Sequence, residues 1–519
     1  MKTIIVCLIK ALTIAFCLWM VTACKSTDFT DDTIVGTPDI NVGSYEKMTI
    51  AGVGKGLVTG RIYDEIVKNS NIITDFKRLG IKWVRIEFEE YINLPVGISA
   101  ESAEVRENIY KFRSAIQLFH DNGIKVLGVI ALNSLTNKEV PLNNEKIALY
   151  TKSVEWHLNT YSIDAIEIWN EPYGFGFSPK ENLKWYGKTL IDVYDKLKPK
   201  YPTILFIGPA TANAEAGEWI GRHDWQKPDL IEGENSIFNS KDMRDWRTVH
   251  NGKLPLDILS FHSYGSGTAN PLGDFYFGRN FKTFYQEIAN YKDLDGRSIL
   301  GNNPVWITEF GWTSNNKPGT GVSENTQKDN YIAIMNEFES FPNIENVFLY
   351  DYKDDENVAG SEGNACGLVK NSSNKYAQKQ IYYSFFSRCT GVGLILNDLR
   401  STPVNEVVQK YIELGGSEIL GTPVFSDLNK NTKGYLYSLP FGLYVQHYLK
   451  NQSFPIAITY DKATGKSYFI PEVFYTYYFS QYEVLKKPKG DAISENGVLI
   501  QNFEGGSLKC MNNTLYLTK

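Results

Sequence analysis

The sequence predicts an α/β fold: a (β/α)8 barrel of the TIM type followed by a smaller β-rich C-terminal domain. Three observations predict it. The length, 519 residues, exceeds one ordinary domain and suits a large one with a smaller companion. From about Lys47 to Gly391, short β-rich apolar runs alternate with longer amphipathic stretches. After Gly391 the pattern changes to short Tyr-rich runs broken by Gly and turn residues.

The predicted strands are Thr49–Val53, Trp83–Phe88, Lys125–Leu132, Ala165–Trp169, Ile204–Ile207, Ile258–His262, Val305–Glu309 and Asn346–Tyr350. Helical periodicity falls between them at Ile72–Leu79, Ile109–Asn122, Asn144–Thr160, Glu181–Lys198, Asn280–Tyr291, Glu324–Phe341 and Lys375–Arg388. The long stretch from Thr211 to Pro255 predicts an irregular helix with loops. Alternation requires parallel pairing, because parallel strands need crossover connections. Eight such units over residues 47–391 predict a closed barrel rather than an open sheet. Neither a GxGxxG turn after the first strand nor a P-loop is present, which argues against nucleotide binding.

Residues 1–23 read as a signal segment. Lys2 and Lys10 precede an apolar run from Ala11 to Val21, too short to span a membrane comfortably. Val21-Thr22-Ala23-Cys24 resembles a bacterial lipobox, which makes Cys24 the lipidated first residue of the mature chain. Several acyl chains on one cysteine anchor stably where a single chain is marginal. The expected location is the bacterial cell envelope, at the outer membrane or cell surface. Ordinary secretion with cleavage near Ala23 is the alternative. Residues 24–46, rich in Ser, Thr and Asp, read as a tether. Export permits a Cys366–Cys389 disulfide that leaves Cys510 over; three buried thiols fit the sequence equally.

Composition excludes several function classes. The formal net charge of −6 and the absence of a Lys/Arg-rich tract argue against a nucleic-acid partner. The six His form no HxH or HExxH spacing, and the Cys form no CxxC pair, so no metal site is expected. No cofactor is implied.

The chemistry is expected where strands end, because barrels of this kind react at the C-terminal lip. Ala165-Ile-Glu-Ile-Trp169 runs into Asn170-Glu171-Pro172, and Pro172 stops the strand. Val305-Trp-Ile-Thr308 runs into Glu309-Phe310-Gly311-Trp312 three strands later. Two carboxylates facing across a barrel mouth suit glycoside hydrolysis, one as proton donor and one as nucleophile.

These residues resemble clan A of the glycoside hydrolases, the retaining (β/α)8 enzymes of family 5, family 39 and their neighbours. In that clan the acid/base follows an Asn at the end of strand four and the nucleophile closes strand seven, which implies Glu171 and Glu309. Arg85, in Lys82-Trp-Val-Arg-Ile-Glu-Phe88, resembles the strand-two arginine that supports the nucleophile. His262 and Tyr264, in Ser260-Phe-His-Ser-Tyr-Gly265, resemble the strand-six pair beside it. Tyr350-Asp-Tyr-Lys-Asp354 followed by Gly367-Leu-Val369 is similar to the strand-eight region of family 39-like enzymes. Strand three departs from many family 5 cellulases, ending Ala131-Leu-Asn133 without the usual His or aromatic residue.

The resemblance implies a retaining β-glycosidase acting by double displacement on a polysaccharide or oligosaccharide, with carboxyl groups about 5–5.5 Å apart. Glu171 is expected to carry a raised pKa and Glu309 to be ionised, with Arg85 keeping it so. Asn170 is expected to bond the sugar 2-hydroxyl, and Arg85, His262, Tyr264, Trp312 and Tyr350 to line the substrate site. Trp312 is the first choice of stacking platform; Tyr352, Trp219 and Trp225 are further candidates. Glu87 and Glu89 read as solvated or outlying, and Asp351 and Asp354 as loop caps. The alternative is a catalytically inactive carbohydrate-binding surface lipoprotein, against which the intact carboxylate pair stands. In residues 392–519, Leu420-Gly421-Thr422-Pro423 and Phe503-Glu504-Gly505-Gly506 resemble pieces of LGFP-type repeats of bacterial surface proteins.

Overall fold

The computed structural model describes residues 33–34, 46–47, 56–58, 63–88, 103–130, 143–172, 183–212, 219, 233–264, 281–314, 321–354, 365–370, 376–397, 400–425, 436–450 and 454–518. The signal segment, Cys24, Glu89, Asn133 and Trp225 lie outside them. No helix among the described residues is long and apolar enough to cross a membrane. The chain divides into two units, one of Ile50–Thr390 and one of Gly391–Lys519 with the residues before 50.

The first unit is a closed eight-stranded parallel barrel. Its strands are β1 (Gly56–Val58), β2 (Trp83–Glu87), β3 (Lys125–Ile130), β4 (Ala165–Ile168), β5 (Leu205–Ala212), β6 (Ile258–His262), β7 (Val305–Phe310) and β8 (Ile344–Leu349). They pair in chain order, and β8 closes against β1. β1 lies later than the predicted Thr49–Val53, which falls outside the described residues. Crossover helices follow the predicted alternation, and local signals set their ends. Asn143 accepts from the Lys146 N–H to start Asn144–Thr160, and Ser323 accepts from Thr326 to start Glu324–Phe338. Gly80 closes Ser70–Leu79 in the left-handed conformation, at φ 73°. The long stretch after β5 holds a short 3₁₀ turn, Gly233–Asn235, and a helix, Lys241–Val249.

Strands buried on both faces explain why β3, β4, β6 and β7 read as nearly continuous apolar runs. Leu127, Ala165, Ile207, Ile258, Trp306 and Phe348 form one packed layer. Trp306 meets Trp83 edge-on at 4.8 Å. Cys366 and Cys389 are buried thiols, as is Cys510 in the other unit, so the Cys366–Cys389 bridge does not form.

Among its described residues the second unit holds two large antiparallel sheets and a two-stranded ribbon, Leu394–Asn397 with Arg400–Pro403. One runs Thr33–Ile34, Thr514–Thr518, Gly506–Met511, Val498–Phe503, Ile493–Glu495. The other runs Lys466–Ile470, Phe454–Asp461, Leu443–Lys450, Thr422–Phe425, Glu46–Lys47, with Tyr437–Leu439 also on Leu443–Lys450. The stretch expected as a tether thus supplies two short strands. An edge strand needs only its backbone groups, so polar composition hides it. A pair of helices stands before or at the start of each stretch likened to a repeat: Asn405–Glu413 with the short Gly416–Leu420, and Glu472–Ser480 with Tyr482–Leu485; antiparallel strands follow in each case.

Phe348 is fully buried in the barrel layer. Phe348→Ala is expected to lower the unfolding free energy by about 3–5 kcal/mol, since the surrounding strands cannot collapse into the cavity. Urea unfolding followed by tryptophan fluorescence measures it; a loss below about 1 kcal/mol would contradict the packing described.

Candidate active site

β4 ends abruptly. Trp169 and Glu171 both adopt positive φ, 71° and 42°. Such conformations cost on the order of 1–3 kcal/mol each and persist only where the surroundings enforce them. Here Trp169 is fully buried, and the Glu171 N–H donates to the Ala210 carbonyl at 3.0 Å. The Tyr186 hydroxyl donates to the carbonyls of Ile168 and Pro209 at 2.5 and 3.0 Å, tying β4 to β5. The backbone therefore aims Glu171 at the barrel mouth. Glu309 is the fifth residue of β7. Two residues on, an added Cβ at Gly311 would lie 2.5 Å from the Tyr350 carbonyl, so only glycine lets β7 and β8 approach there.

Arg85 joins these pieces from β2. Its side chain is 0% exposed. Nε donates to Glu167 Oε2 at 2.8 Å, Nη1 to Glu309 Oε1 at 2.5 Å and to Glu87 Oε1 at 3.2 Å, and Nη2 to Asn170 Oδ1 at 2.8 Å. Ser260 donates to the other Glu167 oxygen at 2.8 Å. Burial opposes the guanidinium charge, but Glu167, Glu309 and Glu87 outweigh it and the Arg85 pKa is raised. Because Asn170 accepts from Arg85 through its oxygen, its amide nitrogen is left to donate to a ligand. Arg85 was expected to line the substrate site; fully buried, it holds other groups instead.

The second set of contacts orients the two carboxylates. Tyr264 donates to Glu309 Oε2 at 2.5 Å. His262 Nδ1 lies 2.8 Å from Glu171 Oε1 and 3.7 Å from Glu309 Oε2. One oxygen of Glu171 and one of Glu309 lie within 4.8 Å of each other. That approach is nearer the separation of about 5–5.5 Å of retaining enzymes than the roughly 6.5–9.5 Å of inverting ones. Burial lowers the His262 pKa, yet Glu309 and its bond to Glu171 overcome it, and the net shift is upward. Burial raises the Glu171 pKa, but His262 and Arg85 pull harder, and the net shift is downward. The expected upward shift of Glu171 is therefore reversed without a ligand. The same three side chains are the one group among the described residues spaced to hold a cation. The Arg85 guanidinium, 2.5 Å from Glu309, already supplies positive charge there and disfavours one.

The aromatic candidates divide. Trp312 is 4% exposed, packs edge-on against Phe310 and accepts from Gln327 through its carbonyl, so it is packing and not an open platform. Trp219 is fully buried, with its indole N–H on Thr211, and Tyr352 is buried with its hydroxyl on Asp75. Tyr350 is half-buried and meets Tyr264 at 6.3 Å between ring centres, which places it beside Glu309. Asp354 accepts from the Gly367 N–H and from Lys379, as a loop cap does. Asp351 is buried, and its carbonyl accepts from the Leu368 N–H. Two members of the network escaped sequence reasoning, Glu167 and Ser260. The available signal was a lone acid inside Ala165-Ile-Glu-Ile168, an inward position that demands a buried cation.

A closed (β/α)8 barrel with paired carboxylates at the ends of its fourth and seventh strands defines the class of the glycosidases. Residues 46–343 match the model of the cellulase family, glycosyl hydrolase family 5, and the chain belongs to that family. It is a glycoside hydrolase. Similar solved structures include a family 39 glycoside hydrolase from Bacteroides cellulosilyticus, at 15% identity and TM-score 0.43 over 89% of this chain and 80% of that one. Another is a family 5 enzyme of subfamily 18 from Bifidobacterium longum, in complex with Manβ1-4GlcNAc, at 13% identity and TM-score 0.43 over 70% and 88%. A third is a β-glucosidase from Exiguobacterium marinum, at 15% identity and TM-score 0.44 over 63% and 87%. No curated protein matches the chain. The LGFP-type resemblance of the C-terminal part gains no support from these comparisons.

Two outcomes follow from the network. Lysine cannot reproduce the guanidinium fork. Arg85→Lys is expected to cost about 3–5 kcal/mol of stability, by leaving buried Glu167 poorly paired, and to lower turnover roughly 100-fold or more. Denaturant unfolding and initial rates measure the two effects. The second outcome concerns pH. The raised His262 pKa stabilises the fold below its unfolded value of 6.5, and this is lost as pH rises through the native value. The lowered Glu171 pKa stabilises above its unfolded value of 4.5, and this is lost as pH falls through the native value. The stability gap between the native chain and His262→Asn should therefore be widest between pH 4.5 and 6.5 and narrow on either side. A gap that does not vary with pH would contradict the assigned shifts.

Proposed function

We propose that this glycoside hydrolase is a retaining β-glycosidase in which Glu309 is the nucleophile and Glu171 the acid/base. The observation that carries the reading is the approach of the two carboxylates within 4.8 Å, each with its own partners. Arg85 and Tyr264 grip Glu309, one on each oxygen, and aim it. Glu309 attacks the anomeric carbon as Glu171 protonates the leaving oxygen, giving a glycosyl-enzyme. Glu171 then takes a proton from water as the water releases the sugar. His262 Nδ1, 2.8 Å from Glu171, is placed to exchange a proton with it. A substrate that expels water makes separated charge costlier and favours the proton on Glu171. Asn170, with its oxygen held by Arg85, donates to the sugar 2-hydroxyl.

The substrate is an oligosaccharide or polysaccharide. The basic start, apolar run and Val21-Thr22-Ala23-Cys24 support export and attachment of Cys24 to a lipid of the cell envelope. On that reading the enzyme works on glycans that reach the cell surface.

The test starts with reducing-end release from β-glucans, xylan, mannan, galactan and bacterial exopolysaccharides. On the polymer cleaved, Glu309→Gln should abolish release. Glu171→Ala should slow release about 10²–10⁴-fold and recover part of the rate on activated aryl glycosides when azide is added. The first-formed product should keep the β configuration by proton NMR. Unchanged rates in either variant, or an α product, would refute the roles.

A further inference from the structure

The site holds more acid than double displacement uses. Glu87, Glu167, Glu171 and Glu309 surround two basic side chains, Arg85 and His262. Glu167 is fully buried, and its two oxygens are taken by Arg85 and Ser260. Glu171 and Glu309 carry the chemistry. Glu87 has no part in it.

Its position is set by the strand. Arg85 and Glu87 are two residues apart on β2, so their side chains leave the same face, with Glu87 one step nearer the C-terminal lip. Glu87 Oε1 shares Arg85 Nη1 with Glu309 Oε1 but lies farther from it, 3.2 Å against 2.5 Å. Its side chain is 53% exposed, whereas those of Glu171 and Glu309 are 20% and 8% exposed. The sequence places Glu87 among solvated, outlying groups; the structure puts it against the guanidinium that also bonds Glu309, with its side chain more than half exposed.

We propose that Glu87 is a specificity-determining residue: its carboxylate accepts hydrogen bonds from hydroxyl groups of the sugar seated against Glu309, and its charge turns away sugars that carry a carboxylate. The inference rests on the glycosidase reading above. A ring whose anomeric carbon meets Glu309 lies alongside Glu87, because both carboxylates bond one nitrogen. Sugar hydroxyls are donors, and an open carboxylate oxygen is the strongest acceptor available to them. An acidic sugar meets the opposite situation. Arg85 and His262 are fully buried and already face carboxylates, so neither offers an unspent charge to a uronate. The uronate would then lose its hydration against like charge.

The test uses the full chain, Glu87→Gln and Glu87→Ala on 4-nitrophenyl β-glycosides of glucose, xylose, mannose, galactose and glucuronic acid. On the neutral glycoside the native chain turns over fastest, Glu87→Ala should raise KM about tenfold or more and change kcat much less. Glu87→Gln, which keeps an acceptor, should raise KM less. In both variants the rate on the glucuronide relative to the neutral glycoside should rise about tenfold. Matching unfolding midpoints exclude a folding defect. KM and the neutral-to-uronide ratio unchanged within about twofold in both variants would overturn the inference alone. Turnover that survives Glu309→Gln would instead overturn the assignment of the nucleophile, and the Glu87 ratios would still be read on their own.

Discussion

The active site depends on one guanidinium taken out of water. Arg85 sits inside the barrel with every nitrogen engaged, and the groups it engages come from separate strands: Glu87 beside it on β2, Glu167 in β4, Asn170 just past β4 and Glu309 on β7. A buried charge of this kind is tolerated only when its partners are in place. Its fork is planar and rigid, so it also sets the directions in which those partners point. Glu167 has no solvent contact and no evident chemical task. Its work is to balance the arginine from below, so that the charge facing the mouth falls on Glu309. The barrel provides eight strands in register, and the arginine makes three of them act as one site.

Around this hub the two carboxylates meet different environments. Glu309 is nearly enclosed and receives donors on both oxygens. Glu171 stands higher, on a backbone turn that a bulky residue adopts only under compulsion, and it is bonded to an imidazole. A purely repulsive pair would have raised the Glu171 pKa. The bond to His262 and the nearby Arg85 charge turn that shift downward. What separates the two carboxylates is therefore the set of neighbours each strand end supplies.

Much of this was legible in the chain, and for physical reasons. Parallel strands buried on both faces need apolar runs, and Ala165–Ile168 and Val305–Phe310 show them plainly. Asn170-Glu171-Pro172 follows closely on the apolar run of β4, which puts Glu171 at the lip, although the strand stops earlier, at Ile168. The contacts of Tyr264 and His262 on the carboxylates follow from alternate positions of β6 and the residues just past it. Other features were hidden. Trp312 follows β7 as a stacking platform would, but only packing against Phe310 reveals that its face is covered. Glu87 is two residues from Arg85 in the sequence, and alternation alone puts both on one face; that the same guanidinium nitrogen also bonds Glu309, more than two hundred positions away, is not legible there. The upward shift at His262 depends on distances between three side chains, which no spacing encodes.

The second unit has an unusual order of synthesis. Thr33–Ile34 pairs with Thr514–Thr518, and Glu46–Lys47 pairs with Thr422–Phe425, so the barrel is spliced into a β-rich body whose first strands are made before it. At about 5–20 residues per second, those early strands wait tens of seconds on the ribosome for their partners. During that interval they are open edges able to recruit any extended neighbour. Two residues apiece, one with acidic neighbours at Asp31 and Asp32 and one made of Glu46 and Lys47, are poor templates for such mispairing. Their brevity protects the nascent chain, and the barrel, whose strands pair mainly with sequential neighbours, is free to form while they wait.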